Sequence, residues 1–128
     1  MVENVSPKDT WQALGTDPES RLVDVRTEAE WAGVGTPDTA ATGCEPVLLP
    51  WQFGPGRPNP DFIAGLAAAG LTPAHHLYFI CRSGVRSAAA AEAAREAGYS
   101  TVYSVAHGFE GSAAAPGWKA QGLPVRTS

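Results

Sequence analysis

The sequence is short of the residues that mark several protein classes. It has two cysteines, Cys44 and Cys81, too few for the disulfide framework that staples small secreted domains. No stretch approaches the roughly 20 consecutive apolar residues of a membrane span. The N-terminus, residues 1–11, lacks the basic-then-apolar pattern of a secretory leader. A reducing, cytoplasmic setting is therefore expected. Positive charge is also scarce: nine Lys and Arg against thirteen Asp and Glu give a net charge of −4. The resulting pI near 5.2 argues against a nucleic-acid partner or an anionic membrane surface. There is no internal repeat and no block of like charge.

What is present fits a globular chain. Residues 1–128 suit one domain that can bury its own core, and 44% are hydrophobic. Fourteen glycines and eleven prolines predict many tight turns. Ser6-Pro7 followed by Lys8–Leu14 reads as a capped helix, broken over residues 15–19. Leu22-Val23-Asp24-Val25 is a short strand. Thr27 caps one or two helical turns, with Glu30 at the reciprocal capping position. Residues 33–43 read as loop, Val47–Leu49 as a short apolar run stopped by Pro50, and 51–60 as loop. A helix starting at Asn59 or Asp61 runs to Ala69 and ends at Gly70.

The second half is sharper. Leu77-Tyr78-Phe79-Ile80 is continuously apolar, as a strand buried on both faces would be. Ser87–Ala97 is an alanine-rich helix closed by Gly98. Its Glu92, Arg95 and Glu96 leave an alanine face free to pack closely on a sheet. Residues 101–105 form another strand, Gly108–Gly111 a glycine turn, and Trp118–Gly122 a last short helix. Strands and helices alternate, which predicts an α/β fold: a mainly parallel sheet with helices on both faces. In such folds ligands bind beyond the carboxyl ends of the strands. Cys81 stands at such an end, immediately before a helix.

The segment Cys81-Arg82-Ser83-Gly84-Val85-Arg86-Ser87 carries the chemistry. A helix N-terminus and neighbouring cations lower a thiol's pKa from about 8.5 into roughly the 3.5–7.5 range. Here the unpaired amides of the helix start surround one sulfur, and Arg82 and Arg86 add fixed positive charge. Both favour the nucleophilic thiolate. The same groups would hold an anion such as a thiosulfonate, phosphate or arsenate. Gly84 lets the backbone turn sharply and approach a ligand. A cysteine ending an apolar strand is often plain packing, but two arginines within five residues are poor neighbours for an inert core thiol.

This loop, CRSGVRS, resembles the active-site loop of rhodanese domains, often written CRSGxRS. Leu22-Val23-Asp24-Val25-Arg26 followed by Glu28, Glu30 and Trp31 looks like that family's VDVR strand and its E-x-E-aromatic continuation. Tyr103-Ser104-Val105, Gly108–Gly111 and Gly117–Val125 resemble its glycine turn and closing segment. The resemblance spans nearly the whole chain. It departs after Trp31, where many members carry Gly-His-Ile-Pro-Gly-Ala but this chain has Gly33–Asp38 and an insert to Pro46. It implies a rhodanese-like three-layer fold with about five strands and a sulfurtransferase activity. Cys81 would be the catalytic nucleophile that becomes a persulfide. Residues Arg82, Ser83, Gly84, Val85 and Arg86 would bind substrate, their amides cradling the transferred sulfur and the two arginines holding a sulfonate. The implied partners are a small anionic sulfur donor such as thiosulfate and a thiol or cyanide acceptor, or a sulfur-carrier protein docked beside the loop. No metal or organic cofactor is implied.

Two other activities and one non-catalytic role share the pattern. Phosphatases of this relationship use a C-x5-R loop, but here that position is Ser87, and the shorter loop suits a sulfur atom better than a tetrahedral phosphate. Arsenate reduction would need a second thiol, for which Cys44 is the internal candidate; a partly buried loop cysteine is the preferred reading. A non-catalytic binding module is disfavoured because cysteine and arginines are all kept. Asp24 and Arg26 read as structural anchors rather than catalysts. His75 and His76 face opposite ways along a strand lead-in, so a shared metal is not expected. His107 reads as surface loop near the glycine turn, and Trp11, Trp31, Trp51 and Trp118 as packing anchors.

Overall fold

The computed structural model describes residues 2–111 and 116–127. Along the chain run β1 (Glu3–Val5), α1 (Pro7–Thr16), β2 (Ser20–Asp24), α2 (Glu28–Val34) and β3 (Thr36–Pro37). After a short 3-10 turn at Ala40–Thr42 come β4 (Val47–Leu48), β5 (Gln52–Gly54), β6 (Arg57–Pro58) and α3 (Phe62–Ala68). The second half holds β7 (His76–Ile80), α4 (Val85–Glu96), β8 (Val102–Val105) and β9 (Val125–Arg126). Five strands form one sheet in the order β1-β8-β7-β2-β4, and every pairing in it is parallel. The expected α/β architecture is present, with no antiparallel member in the main sheet. No helix among the described residues is long and apolar enough to cross a membrane.

Local signals explain most element ends. Ser6 Oγ accepts the Asp9 amide at 3.0 Å, and Pro7 fills the first turn, where its missing N–H is not needed. The break expected over residues 15–19 falls at Asp17, whose amide still bonds Ala13 O at 2.8 Å. At α2 the capping box is complete, with Thr27 and Glu30 each bonding the other's backbone. The helix after residue 59 starts without a side-chain cap at Asp61; instead Asn59 Oδ1 accepts the Asp61 amide at 3.0 Å.

The period-two alternation of β7 divides the core. Leu77, Phe79 and Cys81 face one layer, with Phe62 and Leu66 of α3 and Ala90, Ala91 and Ala94 of α4. Tyr78 and Ile80 face the other, with Leu14 of α1, Val105, Phe109 and Trp118. The alanine face of α4 is fully buried, as its small side chains require for close packing on the sheet.

Three expectations are corrected. Residues 51–60 are not all loop: β5 and β6 pair as a small antiparallel hairpin. Trp118–Gly122 is a run of turns rather than a helix; the Trp118 ring is wholly buried and its indole N–H donates to Pro124 O at 2.8 Å, which fixes the segment by packing. Residues 33–43 contain the end of α2 and β3, which pairs with β9. The chain crosses here at Gly35, with φ +88° and room for no side chain, since a Cβ would meet Arg126 O at 2.7 Å. The edge strand β1, three residues long, carries too little pattern to be read from the sequence.

Beneath the carboxyl end of the sheet lies a wholly buried ion pair. Arg26 Nη2 bonds Asp24 Oδ2 at 2.7 Å and Gly35 O at 2.9 Å, and both side chains are 0% exposed. The guanidinium carbon sits 4.2 Å from the centre of the Phe109 ring. The pair thus joins β2, the end of α2 and the glycine turn, which is the anchoring role expected for these two residues. Removing one partner strands a buried charge, so Asp24→Ala should lower stability by about 3–5 kcal/mol. Urea denaturation followed by circular dichroism checks this; a loss under about 1 kcal/mol would show that the pair anchors little.

Candidate active site

Strand β7 delivers Cys81 to the carboxyl edge of the sheet, and the chain turns through residues 82–84 into α4. Gly84 is the N-cap residue, with φ +117° and no side chain to cap the helix. The cysteine sulfur takes over that function. Its Sγ accepts the Gly84 amide at 3.1 Å and the Ser87 amide at 3.3 Å. An α-helix leaves its first amides without internal partners, and its dipole places positive potential at this end. Both stabilise negative charge on the acceptor. Cys81 is only 1% exposed, yet the sulfur is not an inert packing atom, because polar donors from its own loop converge on it.

A hydroxyl pair, not assigned a role from the sequence, completes the surroundings. Ser87 Oγ lies 3.4 Å from Cys81 Sγ, 3.1 Å from Gly84 O and 2.8 Å from Ser104 Oγ. Both serines are fully buried. The Ser87 hydrogen can serve the Gly84 carbonyl when the thiol is protonated and turn to the sulfur when it is ionised, with Ser104 supplying a bond to Ser87 in either state. The only sequence hint was the helical position of Ser87, three residues after Gly84. Ser104 sits on another strand, and nothing in linear order connects it to the thiol.

The glycine turn braces the loop from behind. Phe109 N donates to Cys81 O at 2.7 Å, and the Glu110 and Gly111 amides donate to Arg82 O at 3.0 and 3.2 Å. Gly108 has φ +58°, and a Cβ there would come within 2.6 Å of the Arg82 backbone. His107, exposed and at φ +65°, leads into this turn.

The predicted substrate-binding residues differ in setting. Arg82, Ser83 and Val85 are exposed, Gly84 and Arg86 half-buried. Arg86 forms a two-pronged pair with Glu30, Nη1–Oε1 at 2.7 Å and Nη2–Oε2 at 2.9 Å. Burial pushes the Glu30 carboxyl up, but hydrogen bonds from Arg86 and Thr27 outweigh it and hold the carboxyl below its ordinary value. The same Glu30 bond raises the Arg86 guanidinium against the opposing effect of burial. Arg82 Nε pairs with Glu110 Oε2 at 3.3 Å in a more exposed setting. The sequence marks Glu30 as a helix cap and part of the E-x-E-aromatic motif and Glu110 as part of the glycine turn, and neither position in linear order points to an arginine of the cysteine loop. An open cleft of about 650 Å³ is lined by these four charged residues together with Val34, Phe53 and neighbours from α2 and the β5–β6 hairpin.

The other candidates lie apart in role. His75 Nδ1 accepts the Thr72 amide at 3.0 Å, whereas His76 Nδ1 pairs with Asp17 at 2.6 Å, so the two rings take separate partners. Cys44 is a half-buried free thiol in the segment before β4. Trp11 and Trp118 meet edge-on at 5.9 Å, and Trp51 meets Phe62 at 5.1 Å, both packing contacts.

A parallel α/β sheet whose central strand presents a capped cysteine loop defines the class, and comparison with known proteins places the chain within it. Residues 6–115 match the Rhodanese-like domain family, and the chain belongs to that family. It is 34% identical over 124 residues to the uncharacterized protein RC0915 of Rickettsia conorii, covering 96% of each chain. The crystal structure of Rv0390 from M. tuberculosis superposes with a TM-score of 0.88 at 41% identity, covering 99% of this chain and 98% of that one. The solution structure of the polysulfide-sulfur transferase homodimer from Wolinella succinogenes gives 0.73 at 26% identity, covering 99% and 80%.

Two substitutions test the site's construction. Gly108→Ala forces a Cβ against the backbone that carries Cys81 and should cost about 1–3 kcal/mol, read as a fall in melting temperature. Ser87→Ala removes a hydroxyl donor to the thiolate; alkylation of Cys81 at neutral pH should slow about five- to tenfold, with a smaller effect for Ser104→Ala. Unchanged alkylation in both would mean the serine pair only packs.

Proposed function

We propose that the protein is a sulfurtransferase that carries sulfane sulfur on Cys81 as a persulfide. The observation that carries this reading is the double amide contact to Sγ from Gly84 and Ser87, which makes a buried sulfur the hydrogen-bond acceptor at a helix start. Family membership and the likeness to a polysulfide-sulfur transferase support it.

In the first half-reaction the Cys81 thiolate attacks the outer sulfur of a donor, of which thiosulfate is the simplest. The new S–S bond forms as the donor's S–S bond breaks, and sulfite leaves with the electron pair. In the second, an acceptor thiolate or cyanide attacks the outer sulfur of the persulfide and restores the Cys81 thiolate. The amides of residues 82–86 cradle the transferred atom. Arg82 and Arg86 line the cleft and hold the anionic end of the donor with the N–H groups not engaged by glutamate. The enclosure of Cys81 favours a one-atom cargo, and the short C-x4-R spacing supports the same choice over phosphate. The acceptor in the cell is a small thiol or a sulfur-carrier protein docked beside the loop, and the cytoplasm is the proposed setting.

Intact-mass spectrometry after incubation with a sulfane-sulfur donor tests the reading. The wild type should gain the mass of one sulfur, removable by cyanide, and Cys81→Ser should gain none. A wild type that stays unmodified with every donor, yet turns over an aryl phosphate, would transfer the assignment to phosphatase chemistry.

A further inference from the structure

The arginines of the cysteine loop do not confront the cleft as free cations. Arg86 is held by both oxygens of Glu30, and Arg82 is paired with Glu110. Among the described residues, the charged ones lining the cleft are these four alone, two guanidinium groups and two carboxylates. Their sum is zero, so an incoming dianion meets no net attraction and finds each guanidinium's charge already offset by a carboxylate. The cleft is also large for an inorganic ion: about 650 Å³, with Val34, Phe53 and Pro55 among its walls. That volume lies in the range that takes organic ligands, whose apolar parts such walls suit.

We propose that Glu30 and Glu110 are specificity-determining residues that neutralise the loop arginines and thereby select a low-molecular-weight organic persulfide over inorganic dianions as sulfur donor. The inference rests on the sulfurtransferase reading and narrows its substrate. Chemically, the Cys81 thiolate attacks the terminal sulfur of R–S–SH. The new bond joins that sulfur to Cys81 while the donor S–S bond breaks. The electron pair departs with R–S, which takes up the persulfide proton and leaves as RSH. Sulfane sulfur changes owner with no net oxidation, so no further reactant is needed. The two carboxylates touch the cations rather than the reacting sulfur, and their effect is on which donor binds.

The test compares thiosulfate with cysteine persulfide on the full chain, as kcat/KM for loading Cys81. Wild type should prefer the persulfide by about tenfold or more. Glu30→Gln, which retains the capping-box geometry, and Glu110→Gln should each raise the thiosulfate-to-persulfide ratio about three- to tenfold, through a lower KM for thiosulfate rather than a higher kcat. Glu110→Asp should return the ratio to the wild-type value. Should Glu30→Gln misfold, Glu110→Gln and sulfate binding to the Cys81→Ser/Glu110→Gln protein against Cys81→Ser decide the matter; tighter sulfate binding supports the proposal. Equal loading by both donors, or glutamine variants with unchanged ratios, would overturn it and leave the sulfurtransferase reading standing. Failure of either donor to place sulfur on Cys81 would overturn the reading itself.

Discussion

The site depends on one contact: a cysteine sulfur doing the work that Ser, Thr, Asp or Asn does at most helix starts. Helix α4 begins at a glycine with no side-chain cap, and the Cys81 sulfur meets the Gly84 and Ser87 amides in its place. The arrangement binds fold and chemistry together. The amides that stabilise the helix when bonded are the same amides that favour charge on the sulfur. The strand's alternation, which turns Cys81 towards the α3–α4 layer, sets the direction from which the sulfur meets them.

Around that contact the molecule is braced in two tiers. The glycine turn, through Phe109, Glu110 and Gly111, bonds the Cys81 and Arg82 carbonyls. Phe109 in turn lies against the buried Arg26, which Asp24 neutralises. A second brace crosses the cleft, from α2 to α4, through Glu30 and Arg86. Glu30 therefore serves three partners at once: the Thr27 amide, the Thr27 hydroxyl and the Arg86 guanidinium. A side chain needed by a helix cap is committed to a fixed place, which makes it a steady counter-ion for the arginine.

Much of this was legible in linear order where one short segment holds all the partners. The capping box at Thr27 and Glu30, the buried run of β7, the alanine face of α4 and the Cys81 loop each depend on residues a few positions apart. What was not legible depends on distant pairs. Ser104 meets Ser87 only because β8 lies beside β7, and Glu110 reaches Arg82 only because the glycine turn folds under the loop. The β5–β6 hairpin was hidden by its own composition, since Gly and Pro mark turns without revealing that two short flanks pair across them. Trp118–Gly122 failed the other way: its residues favour a helix, and burial of one indole overrode that preference.

The helix cap supplied by Cys81 has a dynamic consequence for the proposed cycle. Once a second sulfur is attached, the negative charge moves outward by one S–S bond, about 2 Å, and the atom left facing the amides is a neutral disulfide-type sulfur. Cradling the outer sulfur with the amides of residues 82–86, as proposed, therefore requires the start of α4 to follow the charge. Loaded and empty protein should thus differ in how firmly the first turn of α4 is held, so that the loop itself registers whether cargo is aboard and an acceptor meets a different surface before and after delivery.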